Sequence, residues 1–231
     1  KREELATVEA VLQNGPFEFE GIFTHFATAD EADTTQLTKQ IEKFRHLVDE
    51  LSVKPAHVHY SNSAYALWHG AGDSAIVRYG IGIYGINPSN GDLALKDESS
   101  LTPALRWETE MVKVKKLEAG DTVSYGATYT AEEEQWVATL PVGYADGFIR
   151  AYNKGDVLVD GVRCPIVGRI CMDQCMIRLP NEFPVGTTVT LLGKDGDEEI
   201  TAIELAKRSE TIAYEVLCII SDRVKRVYIN E

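Results

Sequence analysis

No stretch of this chain stays apolar for the roughly 20 residues that a bilayer-spanning helix needs, so no membrane role is expected. Positive charge is scarce: 23 Lys and Arg stand against 36 Asp and Glu, for a net charge of −13. That balance repels a phosphate backbone and speaks against binding DNA or RNA. It favours solubility and says little about fold. Cysteine is also scarce. Cys164, Cys171, Cys175 and Cys218 have spacings that suit neither a paired CxxC zinc site nor a disulfide framework, and no metal is expected. Cys171 and Cys175 fall in RICMDQCMIRL, which reads as a strand on which residues four apart share a face. Buried free thiols in a reducing cytoplasm are the expectation. There are no internal repeats and no low-complexity tract. The opening KREELATVEAVL reads as a helix face rather than a secretory leader.

What is present is alternation. A chain of 231 residues with 44% hydrophobic content predicts one large domain or two modest ones. REELATVEAVLQNG reads as an amphipathic helix ending at Gly15, and FEFEGIFTHFA (17–27) as a strand. DTTQLTKQIEKFRHLVDELS (33–52) reads as a helix with Leu37, Ile41, Phe44, Leu47, Val48 and Leu51 on one face. HVHYSN (57–62) predicts a second strand, SAYALWHG a short helix from about Ser63 to Gly70, and SAIVRYGI a third strand. Strands alternating with helices signal a parallel sheet or a (β/α) barrel. Three such units cannot close eight strands, so the sequence is expected to lack the N-terminal part of the barrel. From about residue 100 the pattern changes to short β-rich runs separated by turn signals such as AGD, NKGD and VDG, with one helix, TAIELAKRSE, near the end. The expected class is α/β plus all-β: the C-terminal part of a (β/α)8 barrel over 1–99, then a mostly β-strand domain over 100–231. The polar stretch NPSNGDLALKDESS (87–100) is the expected junction.

Polar residues collect at the predicted strand ends. His25 ends the first strand, His59 and Asn62 the second, and Arg78 the third. In parallel α/β folds that edge is where ligands bind. A lone strand histidine is more often a satisfied core residue, whereas two histidines and an arginine on one edge fit a ligand site as well as a core. Arg78 lies in VRYGIGIYG, where a buried guanidinium needs partners. Gly80 and Gly82 let the backbone approach a ligand and offer N–H groups, and Ser63 adds a hydroxyl at a helix start, a set that suits a phosphate. A dinucleotide site is not expected, because the strand-Arg-Gly order is wrong for that fingerprint. In the second half Tyr125, Tyr129 and Tyr144 fit strand aromatics, although a tyrosine beside a cation can serve as an acid or base.

The runs GIFTHFATADEAD, HYSNSAYAL, VRYGIGIYG, VSYGATYTA, LPVGYADGF, VGRICMDQCMI and IAYEVLC, in this order along nearly the whole chain, resemble the alanine racemase family. The resemblance implies a cytoplasmic, homodimeric, pyridoxal-phosphate (PLP) isomerase that interconverts L-alanine and D-alanine for peptidoglycan synthesis. It implies that Arg78 faces the pyridine nitrogen of PLP, with His59 as a neighbour. Gly80 and Ile81 then match backbone donors to the phosphate, and Ser63 and Tyr214 its hydroxyl donors, with Asn62 beside them. Tyr125 matches the tyrosine that exchanges the α-proton on the L-alanine face, and His25 the histidine bonded to it. Met172 matches a residue whose backbone N–H holds the substrate carboxylate, and Tyr144 one that narrows the substrate entrance. Tyr125 and Met172 come from the other subunit of a head-to-tail dimer in this family. Asp173 lies beside the site without an assigned role.

One feature of the family has no match. The lysine that forms the Schiff base with PLP, and acts as the second base, sits in an AVVKANAYGHG-type stretch that these residues do not contain. Lys39, Lys43, Lys113 and Lys115 stand in helix or strand contexts that match nothing catalytic. The expectation is a fragment, inactive alone. Two alternatives are a non-catalytic PLP-binding or dimer-assembly module and a serine-preferring racemase. A PLP-dependent decarboxylase of similar architecture is disfavoured, because that class places a carboxylate rather than an arginine at the pyridine nitrogen.

Overall fold

A computed structural model describes residues 2–95, 97 and 101–229, and its contacts divide the chain into two units, Lys1–Thr102 and Pro103–Glu231. Residues 96 and 98–100 of the expected junction lie outside the described residues.

The first unit runs α1 (Arg2–Asn14), β1 (Gly21–Phe23), α2 (Thr35–Glu50), β2 (His57–His59), β3 (Ser61–Asn62), α3 (Ser63–His69) and β4 (Val77–Arg78). The helices fall where periodicity predicts them. The strands are much shorter than predicted, because each is extended only where a neighbour supplies a ladder. β1 pairs in parallel with β2 from Gly21↔His57 to Phe23↔His59, and β3 with β4 at Ser61↔Val77 and Asn62↔Arg78. Of the FEFE segment before β1, Glu20 O accepts from His57 N–H of β2 at 2.9 Å, but among the described residues no ladder extends over 17–19, and Phe17 is left 62% exposed. His25 therefore lies two residues past its strand rather than at its end. The predicted strand 57–62 breaks at Tyr60, whose N–H leaves the ladder for Ser74 Oγ at 3.1 Å while its ring enters the core. That core sets Leu37 and Phe44 of α2 against Phe26, Tyr60 and Tyr65, whose rings stand 5.1–5.4 Å apart.

The second unit is an antiparallel sheet of β5 (Trp107–Glu110), β6 (Lys113–Leu117), β9 (Gln135–Leu140), β10 (Asp156–Val159), β11 (Val162–Val167), β12 (Cys175–Leu179), β13 (Thr188–Asp195) and β14 (Glu198–Ile200). The order β13-β10-β11-β12-β9-β6 returns to its start, because β5 pairs with β13. Only Met111 and Val112 separate β5 from β6, and their N–H groups bond Thr187 O on one side and Thr139 O on the other, each at 3.0 Å. The sheet thus closes on itself through the 107–117 segment, while β14 remains an end strand paired only with β13. A small hairpin, β7 (Thr122–Val123) with β8 (Tyr129–Thr130), stands apart from this sheet.

Three expectations for this unit fail. RICMDQ is a loop: β12 begins only at Cys175, so Cys171 and Cys175 do not share a strand face. All four cysteines are free, but only Cys164 and Cys175 are buried, Cys171 being half-buried and Cys218 exposed. The helix α4 (Ala202–Arg208) is followed by a second, α5 (Ala213–Cys218), made from IAYEVLC. Six residues are too few for helical periodicity to register. It is held by the burial of Ala213 and Val216.

Candidate active site

The first unit brings His25, His59 and Arg78 together. Arg78 ends β4, and its guanidinium is half-buried. NH1 lies 2.5 Å from His59 Nδ1, NH2 donates to the Thr24 carbonyl at 2.8 Å, and NH2 lies 3.3 Å from His25 Nδ1. A guanidinium has no acceptor, so both Nδ1 atoms must accept, and each ring carries its proton on Nε2. Burial, then the charges of Arg78 and His57, push the His59 pKa down, which favours this neutral form. Burial alone draws Arg78 down, but an arginine starts so high that it stays charged. The Phe23 ring lies 5.2 Å from the Arg78 guanidinium carbon and stacks on His59 at 5.4 Å. Sequence reasoning missed Thr24 and Phe23. A backbone acceptor has no residue signature, and a strand phenylalanine looks like any core residue.

Two residues beyond Arg78 the chain forms a cradle. Ser63 Oγ accepts from Gly80 N–H at 2.8 Å and Gly82 N–H at 3.4 Å. Ser63 opens α3, and the preceding Asn62 spends its side-chain oxygen as the cap, accepting from Tyr65 N–H at 2.9 Å. A Cβ at Gly82 would meet only the outer end of the Tyr79 ring, a side chain that can swing aside. Ile81 is buried between the two glycines. The register that sets Asn62 opposite Arg78 thus puts a cation and a hydroxyl–amide cluster along one sheet edge. Such an edge fits a ligand with a ring acceptor at one end and an oxyanion at the other. PLP has both.

The second unit places its site residues on loops. Tyr125 sits in a tight turn over 125–127 and is 75% exposed. Tyr144 opens the turn 144–146, and Met172 lies in the loop before β12. These two loops are laced together. Tyr144 N–H donates to Cys171 O and Ala145 N–H to Met172 O, both at 3.0 Å. Asp146 accepts from Gly143 N–H at 2.9 Å and meets Arg223 Nε at 3.3 Å, and Arg223 NH2 bonds Asp173 at 2.7 Å. Tyr214 stands in the first turn of α5. A cavity of about 270 Å³ in this unit is lined by Arg106, Asp160, Thr190 and Asp195 among others, and includes none of the expected site residues. Among the described residues there is no metal-binding group of His, Cys, Asp and Glu, and no helix is long and apolar enough to cross a membrane.

Parallel βα units with ligand-type groups at the strand ends, followed by a closed antiparallel sheet, define the barrel-plus-β class of racemases. The family description "Alanine racemase, N-terminal domain" matches residues 1–88, and "Alanine racemase, C-terminal domain" matches residues 104–228. The chain belongs to the alanine racemase family, whose members are generally PLP-dependent. An alanine racemase from Latilactobacillus sakei is 53% identical over 92% of this chain and 56% of its own. The crystal structure of alanine racemase from E. faecalis superimposes with a TM-score of 0.91 and 50% identity over 96% of this chain and 59% of its own. A histidine racemase from Leuconostoc mesenteroides superimposes with a TM-score of 0.89 and 34% identity, over 99% of this chain and 62% of its own. The chain thus spans about 60% of the length of the relatives it matches.

Proposed function

We propose that these residues form part of a PLP-dependent alanine racemase that interconverts L-alanine and D-alanine as a homodimer. The observation that carries this reading is the Arg78 fork on Thr24, His59 and His25, set two residues before the Ser63–Gly80 cradle. PLP, when bound, spreads the negative charge left as the α-proton departs. Arg78 holds the ring end. Because it keeps its own proton, it leaves the ring a weaker electron sink than an acid at that position would, which disfavours side reactions such as transamination. Ser63, Gly80 and Ile81 hold the phosphate end. Tyr125, from the partner subunit, holds and moves the α-proton on one face. The partner's loop around residue 172 orients the substrate carboxylate, and the tyrosine at 144 restricts entry. The base for the opposite face is assigned to no residue of this chain.

The test is racemisation by a chain of the relatives' full length, loaded with PLP, with alanine, serine and histidine assayed in parallel. Alanine should be preferred, and Tyr125→Phe should slow α-proton exchange from L-alanine by about 10²–10⁴-fold. Exchange from D-alanine should fall much less. Faster turnover of serine or histidine would overturn the substrate assignment. Equal losses in both directions would overturn the assignment of Tyr125 to one face.

A further inference from the structure

We propose that Ser124 is a positioning residue for Tyr125, and that its hydroxyl clamps the tyrosine's turn to the backbone of Arg169. The inference rests on the reading of Tyr125 given above. Ser124 has φ +72° and ψ 171°, a region visited freely only by glycine. Ala127 (+46°) is a second non-glycine residue at positive φ in this turn, while Gly126 (+75°) between it and Tyr125 takes such a φ freely. Ala127 N–H closes the turn on Ser124 O at 3.1 Å.

Such a conformation persists only where its surroundings over-determine it. Here Ser124 Oγ donates to the Arg169 carbonyl at 3.0 Å and accepts from the Arg169 N–H at 2.9 Å. Gly168 packs so close that a Cβ there would stand 2.5 Å from Ser124 Cβ. The exposed Tyr125 ring has little packing of its own, so its direction is inherited from this turn. A glycine at 124 would adopt the same backbone without strain, yet would lack the hydroxyl. Serine therefore stands where the clamp matters more than conformational ease. The clamp has a second consequence. Arg169 is in the loop that carries Met172, so the turn with the phenol and the loop assigned to the substrate carboxylate move as one piece.

The experiment compares Ser124→Ala, Ser124→Gly and Tyr125→Phe in PLP-loaded enzyme of full family length. Ser124→Ala and Ser124→Gly should each slow α-proton exchange from L-alanine about thirtyfold, the loss expected from two ordinary hydrogen bonds. Exchange from D-alanine should change less than about twofold, and the Arg169 amide should exchange with deuterated solvent about tenfold faster. Parent rates in both serine variants, with Tyr125→Phe impaired, would overturn the positioning role alone. Equal losses in both directions together with a lower melting temperature would show a merely structural serine. An unimpaired Tyr125→Phe would overturn the reading of Tyr125 itself, while the Arg169 amide still reports whether the clamp exists.

Discussion

Replacing Gly143 by alanine should separate two loops of the candidate site, and the size of the effect follows from the geometry. Gly143 has φ −154° and ψ −162°, extended values that any residue adopts, so conformation is not the constraint. Contact is. A Cβ at 143 would overlap the carbonyl oxygens of Cys171 and Met172 and lie 2.6 Å from the Met172 carbonyl carbon. All three atoms are backbone and cannot rotate aside. The same two oxygens accept the N–H groups of Tyr144 and Ala145. Gly143→Ala must therefore weaken two hydrogen bonds, at about 1 kcal/mol each, and overpack the contact by about 1–3 kcal/mol. A net loss of about 3–5 kcal/mol should lower the melting temperature of the second unit by roughly 10–20 °C. With Met172 displaced, KM for alanine should rise more than kcat falls. Calorimetry and steady-state kinetics read both. A melting temperature within about 2 °C of the parent, with KM unchanged, would refute the close-approach argument.

Two further outcomes are expected from the first unit. Arg78→Lys keeps the charge but not the fork, and one ammonium cannot serve Thr24, His59 and His25 from that position. PLP affinity, read by absorbance titration, should fall about tenfold, and an unchanged affinity would remove the fork from the argument. His59 has a depressed pKa from burial, then from Arg78 and His57, so below its usual value of 6.5 the unfolded chain takes up the proton first. Stability should be flat with respect to this group above that pH and should decline as pH falls through the window below it. His59→Gln, which keeps an acceptor for Arg78 without a titrating proton, should flatten the decline in a series of melts. An identical slope in the variant would assign the effect elsewhere.

What the sequence makes legible is uneven, for physical reasons. α2 is readable because Leu37, Ile41, Phe44 and Val48 repeat at helical spacing over 16 residues. The candidate site residues are proposed through motif resemblance, since strand ends and glycine turns carry fixed residue types. Strand lengths are not readable, because whether 17–20 or 74–76 forms a ladder depends on a neighbour rather than on its own alternation. Nor are Thr24 and Asp146. One acts through its carbonyl, and the other through Gly143 N–H and Arg223.

The two units fix their chemical groups by different means. In the first, β3 and β4 pair at only two positions, too few for a ladder to hold Arg78 in place. Side chains supply the rigidity. Ser74 Oγ accepts from Tyr60 N–H and donates to Ile76 O, Ser63 gathers two glycine amides, and Arg78 itself binds Thr24. In the second, a closed sheet provides the frame, and the loops that leave it are fixed by backbone proximity. Glycines at 143 and 168 admit contacts that any Cβ would block, and Ser124 holds strain against one of them. Substitutions in the first unit should therefore act mainly through lost hydrogen bonds, whereas those in the second should act through added atoms. Gly→Ala at 143 or 168 is then more damaging than removing a neighbouring polar side chain, the reverse of the order expected around Arg78.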